Sequence, residues 1–485
     1  MRVTETSTPV AGQTVLVVGL GKSGQSACAF LGTLGCHVRA TDSVRTPELT
    51  AAAERLAQAG VAIELGQHTE SFCDGVDLVV VSPGVPETSL PVRWALQRGV
   101  PVIGELELGA RFCRGRIVAI SGSNGKSTTT ALTGAILAMG DRPVVIAGNI
   151  GIPLTSQIGR IGPETTVVLE VSSFQLERVE RFHPSVACLL NVTPNHLDRH
   201  HDFIDYVTAK RRLLTQQRFT DWAVLNADDA ICQELRSSVR GRLLEFSAER
   251  PVRGAYVVDE ALCVVLRARR HRVIPVRDLP LLGAHNVANV LAAIAIGGVM
   301  GLEPDTMAEA IRHFHGLPHR LESVAQWRGI TFVNDSKSTT VDAGLRALEA
   351  CPGRAVLIAG GKDKGSDFSR LREAVTRSVR AAVLLGVDAP RIAEAISSMV
   401  PTVRAQTMAE AVRTAARLAQ PGDWVLLSPM CTSFDMFRDF EARGEAFTGD
   451  AHAFVALEDH VPTETTAVSA STTDVAAVPA VAEVG

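Results

Sequence analysis

The chain has 485 residues, of which 46% are hydrophobic and 21% charged, with a formal net charge of −4. That length suggests about three domains, and the composition excludes a disordered, collagen-like or coiled-coil chain. With 48 Lys and Arg against 52 Asp and Glu, no basic excess points to nucleic acid or an anionic membrane.

Aromatics are 5% and glycines number 40, which suits α/β layers with tight turns more than a β-sandwich. Residues 1–13 contain no apolar stretch of the secretory type. The most apolar run, Val290 to Leu302, is too short to span a membrane and reads as a buried helix. The nine cysteines are scattered without a C-x-x-C pair, so neither a zinc ribbon nor a disulfide framework is indicated and a reducing cytoplasm is expected.

In chain order, Val15 to Val18 predicts a strand, Ser23 to Gly35 a helix, His37 to Ala40 a strand and Val76 to Val81 another. The alternation restarts at Arg116 to Ile120, with a helix over Thr128 to Met139. It restarts again after Gly316-Leu317-Pro318, with strands at Thr331 to Val333, Ala355 to Ala359, Ala382 to Leu385 and Trp424 to Leu427. Parallel sheets with crossover helices are therefore expected in three domains, 1–104, 105–316 and 317–462. Residues 463–485 are low in complexity and read as a disordered tail.

Gly19-Leu20-Gly21-Lys22-Ser23-Gly24 is a G-x-G-x-x-G between a strand and a helix, and Asp42 follows the next strand. Glycines admit a diphosphate to the backbone, the helix N-terminus supplies donors, and an acid at that distance suits a ribose. NAD or FAD, another nucleotide diphosphate, or a ligand-free tight turn all remain open on this motif alone.

Ser121-Gly122-Ser123-Asn124-Gly125-Lys126-Ser127-Thr128 also follows a strand. It has the character of a P-loop: amides cradle phosphates, Lys126 meets the terminal phosphates and Ser127 can ligate Mg²⁺. Ile120 stands where the common pattern has its first glycine. Two phosphate loops suggest two nucleotide-bearing substrates.

Val167 to Glu170 reads as an apolar strand ending in a carboxylate placed to hold Mg²⁺, although Ser172 and Ser173 could simply cap a helix there. Leu189 and Leu190 run into the polar turn Asn191 to Asp198, which contains His196. Lys210, beside Arg211 and Arg212 in the helical stretch Tyr206 to Leu214, reads by spacing alone as part of a solvated face.

Together these motifs resemble the Mur ligase family of ATP-dependent amide-forming enzymes, over residues 12–457. The resemblance also rests on Gly148-Asn149-Ile150-Gly151, Glu170 to Leu176, Gly283 to Asn289, Leu317-Pro318-His319-Arg320 and Asn334 to Thr339. Gly360 to Phe368 and Ser428 to Asp435 are most similar to members that join D-glutamate to UDP-N-acetylmuramoyl-L-alanine. The Asp-Asn-Pro-Arg signature of the diaminopimelate-adding relative is absent.

The resemblance implies an N-terminal Rossmann-like domain, a central P-loop ATPase-like domain and a C-terminal Rossmann-like domain that closes over ATP, with Gly316-Leu317-Pro318 as hinge. It implies two Mg²⁺ sites, with ATP, UDP-N-acetylmuramoyl-L-alanine and D-glutamate as substrates and the monomer as the working form. Lys126, Glu170, His196, Lys210 and Lys337 are the catalytic positions it assigns. Gly122, Ser123, Asn124, Gly125, Ser127, Thr128, Asn286, Asn289, Arg320 and Asp335 match ATP contacts. Ser127, Glu170 and His196 match the metal sites, joined by Lys210 carrying a CO₂-derived carbamate.

Gly19, Gly21, Lys22, Ser23, Gly24, Asp42, Ser43, Gly84, Asn149 and Gln175 match the uridine-nucleotide site. Val44 stands where well-known members carry arginine, and Lys22 at a position often apolar. Lys337, Thr339, Lys364, Ser433, Phe434 and Phe440 match the D-glutamate site.

Overall fold

The computed structural model describes residues 8–149, 151–195, 199–281, 283, 285–363 and 365–459. His196, Leu197, Asp198, Ile150, Ala284, Lys364 and the tail therefore lie outside the described residues.

The first sheet has five strands: β1 (Thr14–Val18), β2 (His37–Asp42), β3 (Ala62–Leu65), β4 (Leu78–Val81) and β5 (Val102–Gly104). All pair in parallel in the order β3-β2-β1-β4-β5. The order reverses between β1 and β4, so the loops after these two strands flank the crevice where α/β sheets bind ligands. β1 and β4 are buried runs of valine and leucine, as a parallel sheet covered on both faces requires.

The second sheet holds β6 (Arg116–Ser121), β7 (Val144–Gly148), β8 (Thr166–Glu170), β9 (Val186–Leu189), β10 (Trp222–Asn226), β11 (Arg242–Ser247), β12 (Gly254–Val258), β13 (Ala261–Leu266) and β14 (Arg269–Pro275). Its order is β14-β13-β12-β11-β10-β9-β6-β8-β7, parallel as far as β12 and antiparallel for the last two pairings. The phosphate loop follows β6, and its neighbours β8 and β9 deliver Glu170 and Asn191 to the same edge. The apolar run anticipated at Val290 is the buried helix His285–Val299, packed into the core of this sheet.

The third sheet holds β15 (Glu322–Trp327), β16 (Ile330–Asn334), β17 (Ala355–Gly360), β18 (Val379–Leu385), β19 (Thr402–Arg404) and β20 (Trp424–Leu427), ordered β15-β16-β20-β17-β18-β19. Strands β16, β20 and β17 are adjacent and parallel, so the loops after them emerge at one edge. The chain divides into two compact units, one reaching to Glu322 with Glu349–Pro352, the other formed by Ser323–Leu348 and the residues from Gly353 onward. Among the described residues, no helix is long and apolar enough to cross a membrane.

Candidate functional site

Several helices here begin with a side-chain cap: Thr46, Ser172, Asp202, Asp229 and Thr407 each accept from a backbone amide in the first turn. The helices Lys22–Thr33 and Lys126–Ala138, which follow the two glycine loops, instead begin at Gly21 and Gly125 with no side-chain cap. Their first amides point out of the helix end, and the helix dipole favours an anion there.

At the first loop, Gly19 has φ +87° and Gly24 sits so close beneath it that a Cβ would lie 1.8 Å from the Gly19 carbonyl oxygen. Gly21 faces open space, with nothing within 4 Å of where a Cβ would be. Asp42 accepts from the Leu20 amide at 2.7 Å and the Val44 amide at 2.9 Å, so it fixes the loop's shape. Ser82 donates to the Gly19 carbonyl at 2.7 Å, tying the loops after β1 and β4 together. Lys22, Ser43 and Gly84 are exposed and Ser23 half-buried along this crevice.

A residue outside the sequence expectations joins this region. Arg199 donates to Glu177 and the Val85 carbonyl, both at 2.8 Å, with its guanidinium 5.3 Å from the Phe174 ring centroid. It thereby straps the Gly84 loop to the helix Ser173–Leu176. Gln175 shares a capping box with Ser172 at the start of that helix. The serine cap and the strand-end carboxylate of Glu170 thus coexist.

The second loop is held from three directions. Ser123 donates to the Thr193 carbonyl at 2.9 Å and lies 2.8 Å from the Tyr206 hydroxyl. Asn191 accepts from the Asn124 amide at 2.8 Å. Gly125, at φ +79°, packs so closely on Asn289 that a Cβ would lie 2.1 Å from its Oδ1. Asn289 also accepts from Thr129 at 3.3 Å and donates to Asn286 at 2.8 Å. Lys126 donates to the carbonyls of Gly122 and Ser123, both at 3.0 Å, and Ser127 and Thr128 are buried in the first turn.

Glu170 is 2% exposed; its Oε1 accepts from Asn149 at 2.8 Å, while Oε2 is buried with no hydrogen-bond partner. A buried carboxylate oxygen without a donor is costly unless something cationic completes it. Lys210 corrects the solvated-face reading, because it is 1% exposed while its neighbour Arg211 is exposed. Its Nζ donates to the Gly122 carbonyl at 2.9 Å and lies 4.7 Å from the Tyr206 ring centroid. Burial, then the ammonium of Lys126, pushes the Lys210 ammonium well below its ordinary range, and Glu170 opposes the shift.

A buried carboxylate oxygen lacking a donor, with Ser127 on the adjacent loop, fits a magnesium ion. Among the described residues no group of three or more His, Cys, Asp or Glu forms a metal cluster.

In the second unit, Asp335 accepts from Ser428 at 3.3 Å, joining the loops after β16 and β20. Lys337 is exposed, with its Nζ 5.4 Å from the Phe440 ring centroid. Ser433 is buried, Thr339 and Phe440 are half-buried, and Phe434 is 68% exposed. Arg443, absent from the sequence expectations, is buried and donates to Ser336 Oγ, the Ser336 carbonyl and the Cys431 carbonyl at 2.8 to 3.0 Å. It clamps the two loops that carry Lys337 and Ser433. Burial lowers its pKa to about 10. Arg320, Asn286 and Asn289 belong to the first unit and Asp335 to the second.

An uncapped phosphate loop beside an unsatisfied strand-end carboxylate and a buried lysine defines a nucleotide-dependent enzyme of the P-loop kind. Residues 120–297 match the Mur ligase middle domain, 13–104 the "Mur ligase MurD-like, N-terminal domain", and 319–431 the "Mur ligase, glutamate ligase domain". The chain is 42% identical over 439 residues, 90% of its length and 97% of the relative's, to the UDP-N-acetylmuramoylalanine–D-glutamate ligase of Koribacter versatilis. It is 44% identical over 436 residues, 89% of this chain and 96% of the other, to the enzyme of the same name in Pelotomaculum thermopropionicum.

Among solved structures, the UDP-N-acetylmuramate–alanine ligase of Thermotoga maritima superposes with a TM-score of 0.57 at 17% identity, covering 91% of this chain and 99% of that one. A MurF ligase of Thermotoga maritima in complex with ADP gives 0.56 at 17% identity, covering 93% and 97%. The chain belongs to the Mur ligase family.

Proposed function

We propose that this chain joins D-glutamate to UDP-N-acetylmuramoyl-L-alanine at the expense of ATP, releasing ADP and phosphate, in peptidoglycan precursor synthesis. The observation that carries the ATP-dependent chemistry is the uncapped Lys126–Ala138 helix beside the unpartnered Glu170 Oε2. The choice of D-glutamate follows the names of the relatives. Residues 1–104 take the uridine nucleotide, 105–316 take ATP and 317–462 take the amino acid.

The alanine carboxylate attacks the γ-phosphorus of ATP, giving an acyl phosphate and ADP. The D-glutamate amine then attacks the acyl carbon, and the tetrahedral intermediate expels phosphate as the amide forms. Charge grows on phosphoryl and carbonyl oxygens, so donors must be set in place beforehand. Lys126 exchanges its two loop carbonyls for phosphate oxygens, and the amides at the start of its helix donate to the remaining ones. Gly122, Ser123, Asn124, Gly125 and Thr128 shape this cradle, with Asn286, Asn289, Arg320 and Asp335 contacting the nucleotide. Ser127, Glu170, His196 and a carbamate on Lys210 would hold magnesium, which would supply positive charge to neutralise the phosphates.

The depressed ammonium of Lys210 supports the carbamate, because only the neutral amine adds CO₂, losing a proton as N–C bond formation creates a carboxylate-like group. Gly19, Gly21, Lys22, Ser23, Gly24, Asp42, Ser43, Gly84, Asn149 and Gln175 form the uridine-nucleotide site. Lys337, Lys364, Thr339 and Ser433 supply cations and hydroxyls for the two D-glutamate carboxylates, with Phe434 and Phe440 beside them. Nine free cysteines support a reducing, cytoplasmic setting.

The deciding experiment measures ADP release with each substrate omitted in turn, then with a panel of amino acids. Release that needs both UDP-N-acetylmuramoyl-L-alanine and D-glutamate upholds the reading. Preference for L-lysine or meso-diaminopimelate overturns the choice of amino acid. Tight NADH binding without substrate-dependent ADP overturns the ligase.

A further inference from the structure

At the C-terminal end of the His285–Val299 helix, well away from the Asn289 contact with the phosphate loop, the antiparallel end of the second sheet encloses a groove of about 1030 Å³. Its volume is that of a small-molecule site rather than a surface dimple. The floor is apolar: Leu244, Val264, Leu266, Ala295 and Val299, with Trp222 on one wall. The lining cations are Arg253, Arg267 and Arg269, with His271 beside them, against a single acid, Glu303.

Two facts separate this arrangement from an ordinary charged edge. The segment from Arg240 to Arg272 carries eight arginines against four acidic residues in a chain whose net charge is −4. Its positive charge is therefore local. The side chains of Arg253, Arg267 and Arg269 also take part in none of the ion pairs or hydrogen bonds among the described residues. Other arginines of the segment are engaged: Arg250 donates to the Ala227 carbonyl at 2.9 Å and Arg242 lies over the Trp222 ring at 5.3 Å.

The hairpin turn places the cations. Arg267 and Ala268 both have positive φ, 49° and 64°, and join β13 to β14 as a two-residue turn that holds Arg267 and Arg269 at the rim. Gly298 lets the hairpin settle on the helix, since a Cβ there would lie 2.8 Å from Leu266 Cδ2. The groove is thus walled by packed elements rather than by a loose loop.

We propose that this groove is a second ligand site, for a single-chain anionic amphiphile. The apolar body lies along Leu266 and Val299, and a phosphate or carboxylate head meets the guanidiniums of Arg253, Arg267 and Arg269. Charge complementarity dictates an anionic head, and the apolar floor excludes a fully hydrated ion as the sole occupant.

Dodecyl phosphate and dodecanoate, each below its micelle threshold, are titrated into the full chain and followed by tryptophan fluorescence, with Trp222→Phe identifying the signal. Dodecanol supplies the body without the head and inorganic phosphate the head without the body. One-to-one saturation by an anionic amphiphile is expected, and the preferred head shows whether phosphate or carboxylate is the natural class. The triple variant Arg253→Ser, Arg267→Ser, Arg269→Ser is expected to weaken binding at least tenfold while thermal midpoint and ADP release stay unchanged. Equal binding of dodecanol, an unaffected triple variant, or no saturable binding overturns the proposal. So does capture by anionic vesicles or an acidic peptide that the soluble amphiphile fails to displace.

Discussion

Lys210 donates from Nζ to the carbonyl of Gly122 at 2.9 Å, and Lys126 reaches the same carbonyl at 3.0 Å from the other side. Two lysines thus share one loop carbonyl, one of them buried and the other half-buried.

The two lysines are expected to separate in mutagenesis. Lys126→Ala lowers ADP release by roughly a thousandfold or more, as for other preorganised charge stabilisers. Its effect on unfolding stays within about 1 kcal/mol, because Lys210 still satisfies the Gly122 carbonyl. Steady-state kinetics and calorimetry on the same preparation check both parts; unchanged turnover would remove Lys126 from the mechanism.

Lys210→Ala is expected to inactivate to a similar degree, with partial recovery when a short carboxylic acid is supplied in place of the carbamate. Carbon-13 labelled CO₂ should give a carbamate signal in the native chain and none in the variant. Full activity without added acid would return Lys210 to a structural role.

The glycines of the first loop divide by what surrounds them. Gly24→Ala meets the Gly19 carbonyl oxygen at 1.8 Å and is expected to destabilise the chain by about 3 kcal/mol or more, read in the thermal midpoint. Gly21→Ala meets nothing within 4 Å and leaves the midpoint in place. It raises KM for the uridine substrate at least tenfold with kcat nearly unchanged, because its methyl group occupies space the ligand needs.

Glu105 is buried, accepts from the Thr155 amide at 2.8 Å and its hydroxyl at 2.7 Å, and leaves Oε2 without a partner. Burial pushes its pKa above the ordinary 4.5, so the fold prefers the protonated form. The sign follows from linkage: its contribution is complete below the unfolded pKa and is lost as pH rises through the folded one. Glu105→Gln is therefore expected to be more stable than the native chain near pH 8, the advantage shrinking as pH falls toward 4.5. Denaturant midpoints across that range check it; a pH-independent difference would contradict the protonated state.

Much of this was legible in the sequence because glycine loops and buried valine-rich strands leave strong local marks. Both phosphate loops, the parallel alternation and the Glu170 strand end fall where the residues indicate. The antiparallel extension β12 to β14 left little trace. Its turns use Asp259-Glu260 and Arg267-Ala268 in left-handed conformations instead of the Asn-Gly that marks such hairpins. Spacing also misread Lys210, since a run of three basic residues does not reveal that one points inward. Tyr206 and Arg199 gained their roles only through folding: the Ser123–Tyr206 contact joins residues 83 positions apart.

The contact between Gly125 and Asn289 also bears on the order in which the chain becomes competent. The loop and the helix it leans on are separated by about a third of the polypeptide, with Thr129 and Asn289 160 positions apart. A ribosome delivers the loop long before Asn289 leaves the exit tunnel. Until then the turn at Gly125 lacks the Asn289 side chain it packs against. The wall behind this loop is completed only after all the strands of the central sheet have been synthesised.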